Sequence, residues 1–319
     1  MPTKPEAHLL NRDLSAIKPL VDLTSPVLQE AINYATTAYQ RSFNSEKGKT
    51  DEAYPPLANY LHIIQLTDSV EILVSNGCGP PAELLLRSIF EAILSLEYLL
   101  ESDTARRGIA WTVKNMVDRI ESVRCMIPES KKGKELHSAF INEGFADLIQ
   151  PPKPVGLDKE INHLENELKT PKLNYVYLEY LKCVNPKNKY PEWYSLYNGP
   201  YNLRELAKHL NKESTYLTLY STWSKMAHFN DAAHLTVNLG GEGSVLGPIR
   251  NPQNLIHIGA TALSRLIDAT IIVTKHFTPY YMNNFIKWYG KEIREKHVRL
   301  VNLELSDLAQ YESNIHKSN

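Results

Sequence analysis

AELLLRSIFEAILSLEYLLES, residues 82–102, decides the fold class. Between Leu84 and Leu96 it is apolar nearly all round and carries only two charges, Arg87 and Glu91. A helix with an apolar circumference is expected to be buried, so other helices must cover it. Arg87 and Glu91 are one helical turn apart and can meet on one face. An unpaired charge there would cost several kcal/mol, so the two either form a structural ion pair or line a wet, functional pocket.

Working outward, the segment before it, LANYLHIIQLTDSVEILVSNG, is opened by Pro55-Pro56 and stopped by Gly77, as a long helix should be. Further upstream, the run after Pro26 carries an apolar stripe through Leu28, Ile32, Ala35 and Tyr39 and predicts the first helix. Downstream, Asp103 or Thr104 is placed to cap a helix running to Pro128. A lysine-rich helix (129–150), a linker through Pro151, Pro152, Pro154 and Gly156, and two shorter helices follow. Asn202 is placed to cap LRELAKHL. The tyrosine-dense loop between, with Tyr190, Trp193, Tyr194, Tyr197 and Tyr201, reads as packing over a helical core more readily than as a base-stacking platform.

Only LTVN and SVLGPI, flanking Gly240, Gly241 and Gly243, carry a strand signal, which predicts one small β-hairpin near residues 235–250. A second apolar helix, from Asn251 or Pro252 to near Lys275, again holds an arginine and an aspartate, Arg265 and Asp268. The expected fold is therefore all-α, a multi-helix bundle around one core. It comprises an N-terminal arm (1–25), a helical domain (26–290) and a C-terminal helical tail (291–319).

Composition narrows the function classes. Across 319 residues the formal net charge is -1 and 43% of residues are hydrophobic, so no global field steers the chain toward nucleic acid and any basic surface is local. Two basic clusters do occur, Lys131 to Lys134 and Lys291 to Arg299. Three scattered cysteines, Cys78, Cys125 and Cys183, fit a reducing compartment, and the N-terminal residues lack the apolar core of a secretory signal; the expected location is cytoplasmic. Charges at His257, Arg265, Asp268 and Lys275 argue against a membrane span in the apolar segment 255–277. A helical bundle of this kind is expected to form a homo-oligomer.

The second informative stretch is ESTYLTLYSTWSKMAHFNDAAH, residues 213–234. Leu217, Tyr220, Ser224, His228 and Asp231 recur at steps of three and four and should form one helical face, unusually polar for a core face. Set opposite Arg87 and Glu91, this face makes a phosphoryl-transfer kit: His228 can exchange protons near neutral pH and Arg87 can stabilise developing negative charge. An RNA 2′-hydroxyl could serve as nucleophile, with no metal and no cofactor required. The candidate catalytic residues are His228, Arg87, Glu91 and Ser224; the candidate ligand contacts are Tyr220, Asp231 and Tyr216.

Competing chemistries are weaker. No G-x-S-x-G elbow accompanies Ser224, and neither a Walker A loop nor GxGxxG occurs. His228, Asp231 and His234, with Glu91, have a permissive metal-ligand spacing without the specificity of a CxxC pair or HExxH.

The pairing of RSIFEAILSLEYLL with NLRELAKHLNKESTYLTLYSTWSKMAHFNDAAH resembles the bacterial domain of unknown function 5677, over roughly Ala53 to Phe277. The resemblance rests on an early arginine and glutamate and on a late run of Tyr216, Tyr220, Ser224 and His228; it implies an all-α fold and no stated activity. More distantly, the layout is similar to HEPN nucleases of defence and toxin systems, whose motif is arginine, four to six residues, then histidine. Here Ser224 occupies the position four before His228, so only His228 carries over, with Arg87 as a substitute from another helix. The expected function is an HEPN-like, metal-independent ribonuclease or related phosphate-directed enzyme with RNA as partner; the alternative is a non-catalytic helical sensor whose polar pocket holds a small-molecule ligand.

Overall fold

The structure is a computed structural model that describes residues 10–145, 156–222, 236–238, 244–252 and 254–303. The fold is all-α. The chain forms two compact units, one from Met1–Ser102 with Ala207–Asn319 and the other from Asp103–Leu206.

Among the described residues, the larger unit is built on four long helices: α1 (Lys18–Asn44), α2 (Tyr54–Ser75), α3 (Gly79–Glu101) and α10 (Leu255–Phe277). α1 packs on α2 and α10, and α3 packs on α2 and α10. Its core is formed by Leu28 and Ala35 of α1, Ile63 and Val70 of α2, Ile89, Ile93 and Leu96 of α3, and Leu263 and Leu266 of α10, all essentially inaccessible to solvent. Tyr60 of α2 crosses this core: its hydroxyl meets Thr270 Oγ1 at 2.8 Å and donates to Ala35 O at 3.3 Å, which satisfies a polar group that burial would otherwise make costly. α1 and α10 approach closely at Gly259, where an added Cβ would lie 2.0 Å from Thr24 Cγ2. The absence of a side chain there lets the two backbones meet.

Pro55 and Pro56 lie in the first turn of α2, and Gly77 ends its exit with φ +72°. α1 begins at Lys18, inside the stretch read as an arm, with Pro19 in its first turn and Pro26 accommodated within the helix. α10 is long and apolar enough to cross a membrane, and 67% of its most apolar window is buried inside the unit, which accounts for that composition.

Beyond α10, the chain turns through Pro279–Tyr281 into α11 (Met282–Trp288), a π-turn at Tyr289–Ile293, and α12 (Arg294–Val301). Phe285, Ile293 and Leu300 are buried, so this segment packs on the unit over the described part of what the sequence suggested was a tail. Trp288 Nε1 donates to Glu30 Oε1 at 2.7 Å and its ring stacks on Tyr34. His297 joins three elements: Nε2 lies 2.8 Å from Ser264 Oγ and Nδ1 lies 3.1 Å from the Tyr289 hydroxyl. Ser264 donates its proton to Ala260 O at 2.8 Å, so Nε2 carries the imidazole proton and Tyr289 donates to Nδ1.

The smaller unit holds α4 (Thr104–Cys125), α5 (Lys131–Asn142), α6 (Leu157–Leu168), α7 (Pro171–Cys183) and a 3-10 segment at Trp193–Asn198. Asp103 precedes α4 in a left-handed conformation without capping it; its carboxylate instead pairs with Arg106 at 2.8 Å. Ser130 caps α5, accepting from Gly133 N at 2.8 Å. Trp193, Tyr194 and Leu196 are buried, the packing role expected of the aromatic loop, whereas Tyr190 and Tyr201 are exposed. Lys132 is held by Glu121 at 2.5 Å.

α8 (Leu203–His209) is capped by Asn202, whose side chain accepts from Glu205 N at 3.0 Å. A three-residue pair of strands, β1 (Thr236–Asn238) and β2 (Ser244–Leu246), runs antiparallel with Val237 opposite Val245. It adds no layer to the helical architecture.

Candidate functional site

α3 opens with Pro80 and Pro81 in its first turn, and Gly79 N donates to Asn251 O at 2.8 Å. It is not buried all round. Its inner face, through Leu86, Ile89, Phe90 and Ile93, is inaccessible, while Leu84 is 39% exposed and Ser88 is open to solvent. Arg87 and Glu91 stand on this outer side, with side chains 27% and 40% exposed. The full burial suggested by the apolar run is therefore corrected: the pair lines an open wall, and water reaches both groups.

Arg87 Nε donates to Glu91 Oε1 at 3.0 Å, and the Tyr220 hydroxyl donates to the same oxygen at 2.9 Å. The Arg87 guanidinium lies over the Tyr220 ring, 5.1 Å from its centroid. Tyr216 stacks on Tyr220 with centroids 4.8 Å apart, and Phe90 meets the same ring at 6.0 Å. Burial first, then the Glu91 carboxylate, pushes the Tyr220 phenol up to about 12. Burial opposes the Arg87 charge, but bonding to Glu91 and the field of Tyr220 outweigh it and hold the guanidinium above its ordinary range.

Tyr216 and Tyr220 enter this cluster from a short helix, α9 (Glu213–Thr215), which widens into a π-turn at Tyr216–Tyr220. Such turns insert one residue into the helical ladder. Leu217 consequently points outward, 50% exposed, while Tyr220 is 8% exposed. The expectation that Leu217 and Tyr220 share a packing face is corrected by that inserted residue.

Arg87, Glu91, Tyr216 and Tyr220 are thus brought together. Ser224, His228 and Asp231, and His234 of the metal reading, lie outside the described residues. Among the described residues, no group of three or more His, Cys, Asp or Glu side chains is placed to hold a metal ion.

Sequence reasoning missed how the incoming segment is seated. His209 Nε2 meets Glu101 Oε2 at 2.9 Å, Lys212 Nζ meets Glu97 Oε1 at 3.0 Å, and Tyr220 meets Glu91. As the chain runs forward from 209 to 220, its partners run backward along α3 from 101 to 91. Three α3 carboxylates therefore clasp the segment in antiparallel order. Burial raises the Glu97 carboxyl above its usual range, with Lys212 opposing the shift. The signal was present in the matched order of three acids and three donors, and was overlooked because His209 and Lys212 lie outside the aromatic run.

A family model described as "Family of unknown function (DUF5677)" matches residues 53–243, a span that contains α2, α3 and the clasped segment. No curated protein and no solved structure matches the chain.

Proposed function

The chain belongs to the family of unknown function DUF5677, and from that premise we propose that it is a phosphate-directed enzyme, an HEPN-like ribonuclease acting without a metal ion. The observation that carries the proposal is the Arg87–Glu91–Tyr220 cluster: one guanidinium, oriented by a carboxylate and an aromatic ring on a well-packed helix, open to solvent on its outer side. Preorganised cations of this kind stabilise charge that develops in a transition state.

In the proposed reaction His228 takes the proton of an RNA 2′-hydroxyl, whose oxygen attacks the adjacent phosphorus. The bond from phosphorus to the 5′-oxygen breaks, that oxygen takes a proton from water, and a 2′,3′-cyclic phosphate remains. Arg87 faces the charge that builds on the phosphorane oxygens, Glu91 and Tyr220 hold Arg87 in position, and Ser224 and Asp231 contact the substrate. The nucleophile is part of the substrate, so the chemistry needs no metal-bound water.

A second reading, a non-catalytic sensor of a small polar ligand, is favoured by one feature. Glu91 already compensates the Arg87 charge, and the Tyr216–Tyr220 stack offers an aromatic surface beside a cation and an anion. Incubation with labelled RNA in excess chelator separates the two. Cleavage that His228→Ala abolishes supports the enzyme; intact RNA sinks it and leaves the sensor.

A further inference from the structure

We propose that residues 208–219 form a strap that swings away from α3, and that the Glu97 carboxylate passes from Lys212 to Arg265 of α10 when it does. The strap's role as a cover over Arg87 rests on the phosphate-directed reading of that site; its opening does not.

The strap is weakly seated. Ala207 and Tyr220 are buried, but none of residues 208–219 is. With no apolar side chain sunk into the core, this stretch is held on α3 by the polar contacts at Glu101, Glu97 and Glu91. Segments with few buried apolar contacts open locally while the core beneath them stays folded. The hydroxyls here bond to the backbone of the same segment: Thr218 Oγ1 donates to Ser214 O at 2.8 Å, and Ser221 Oγ to Leu217 O at 2.7 Å. Those bonds survive opening. Asn211, between α8 and α9, has φ +57°, a break in the helical path at which the strap can turn.

Opening threatens to strand Glu97. Its side chain and that of Lys212 are largely enclosed, and a carboxylate in such a place needs a cation. A second cation is at hand. The charges of Arg265 and Asp268 on α10 both act on the Glu97 carboxyl, Arg265 favouring its ionised form. Arg265 Nη1 donates to Asp268 Oδ2 at 3.2 Å, while its Nε is inaccessible to solvent and has no acceptor among the described residues. An N–H in that state has lost its water without a return, so an acceptor that reaches it gains a full charge-assisted bond. The closed arrangement satisfies Lys212 and leaves Arg265 short; the open one satisfies Arg265 and leaves Lys212 in water.

Tyr220 ends the strap, with its hydroxyl on Glu91 and its ring beside the Arg87 guanidinium. A strap that swings out takes Tyr220 with it and bares the guanidinium. Re-exposure of the Tyr220 ring keeps the closed form dominant. A phosphate binds the bared form better than the covered one, so it shifts the balance toward opening.

The test is amide hydrogen exchange of the full chain, read in the strap and in the α3 core, for wild type, Arg265→Gln and Asp268→Asn. Wild-type strap amides should exchange faster than those of the core, at a rate unaffected by low urea, the mark of a local opening. Without the second cation Glu97 is stranded at each opening, so Arg265→Gln should slow strap exchange about tenfold, the worth of one hydrogen bond to a charged group. Asp268→Asn frees the guanidinium for Glu97 and should speed strap exchange by a comparable factor. An Arg265 with only a structural role gives the opposite sign, because its loss loosens the unit and speeds exchange throughout. If Arg265→Gln does not fold by circular dichroism, Asp268→Asn decides alone. Inorganic phosphate should speed strap exchange in wild type and leave Arg87→Gln unchanged. Strap exchange that follows both α10 substitutions but ignores phosphate keeps the strap and sinks the phosphate-directed reading. Strap amides that exchange only with global unfolding, or at a rate that the α10 substitutions do not alter in the stated directions, overturn the proposal.

Discussion

The Tyr220 hydroxyl and the Glu91 carboxylate, 129 residues apart in the chain, are joined by a 2.9 Å hydrogen bond, and the same carboxylate oxygen holds Arg87. One acceptor atom therefore ties Arg87 of α3 to the segment that leads toward His228.

Substitutions at these two positions should be coupled. Because solvent reaches the Arg87–Glu91 pair, Glu91→Gln is expected to cost only about 1 kcal/mol of stability, far from the 3 to 5 kcal/mol of a fully buried broken pair. Tyr220→Phe, which removes one hydrogen bond, should cost about 1 kcal/mol. The double variant should lose at least about 0.5 kcal/mol less than the sum, measured by urea denaturation. Strict additivity would show that the bond contributes nothing.

Gly259→Ala should destabilise the larger unit by about 1 to 3 kcal/mol, since the new methyl meets Thr24 Cγ2. Thr24→Ser deletes that carbon and keeps the hydroxyl that donates to Leu20 O at 2.9 Å. The pair Gly259→Ala with Thr24→Ser is therefore expected to recover most of the lost melting temperature. No recovery would place the strain elsewhere.

Stability should depend on pH through His297. Burial lowers its imidazole below the ordinary value of about 6.5, with Asp268 opposing the shift. The unfolded chain then binds the proton more readily, so stability is fully present above about 6.5 and declines as pH falls below it. His297→Gln should flatten this decline in thermal melts taken from neutral to mildly acidic pH. His276, also lowered, first by burial and then by Lys47, supplies a residual slope of the same sign.

Lys212→Met removes the cation facing Glu97 and should cost about 1 to 3 kcal/mol at neutral pH. The Glu97 carboxyl is already raised by burial, so its folded form takes up a proton before its unfolded form does. The deficit should therefore shrink as pH falls toward the ordinary glutamate value of about 4.5. A deficit independent of pH would mean that Lys212 acts through its aliphatic stem.

These helices were legible because their punctuation is local: Pro55-Pro56 and Gly77 frame the long α2, and Asn202 announces the short α8. The Arg87–Glu91 contact was legible for the same reason, being a one-turn relation. The exposure of that pair was not, because an apolar composition records preference for burial and not which side of α3 receives a neighbour. Both π-turns also escaped. Each offsets the helical period by a residue, which sent Leu217 outward and disguised Phe285, Tyr289, Ile293 and His297 as a polar tail.

The Glu101–His209 contact has a consequence for chain length. It joins the two chain segments of the larger unit within a few residues of Ser102 and Ala207, the points at which the chain leaves that unit and returns. For a loop whose ends are already pinned together, closure entropy grows only logarithmically, about 0.6 kcal/mol for each doubling of length. The excursion between them is thus the place where residues can be added or removed with the least penalty to the four-helix core.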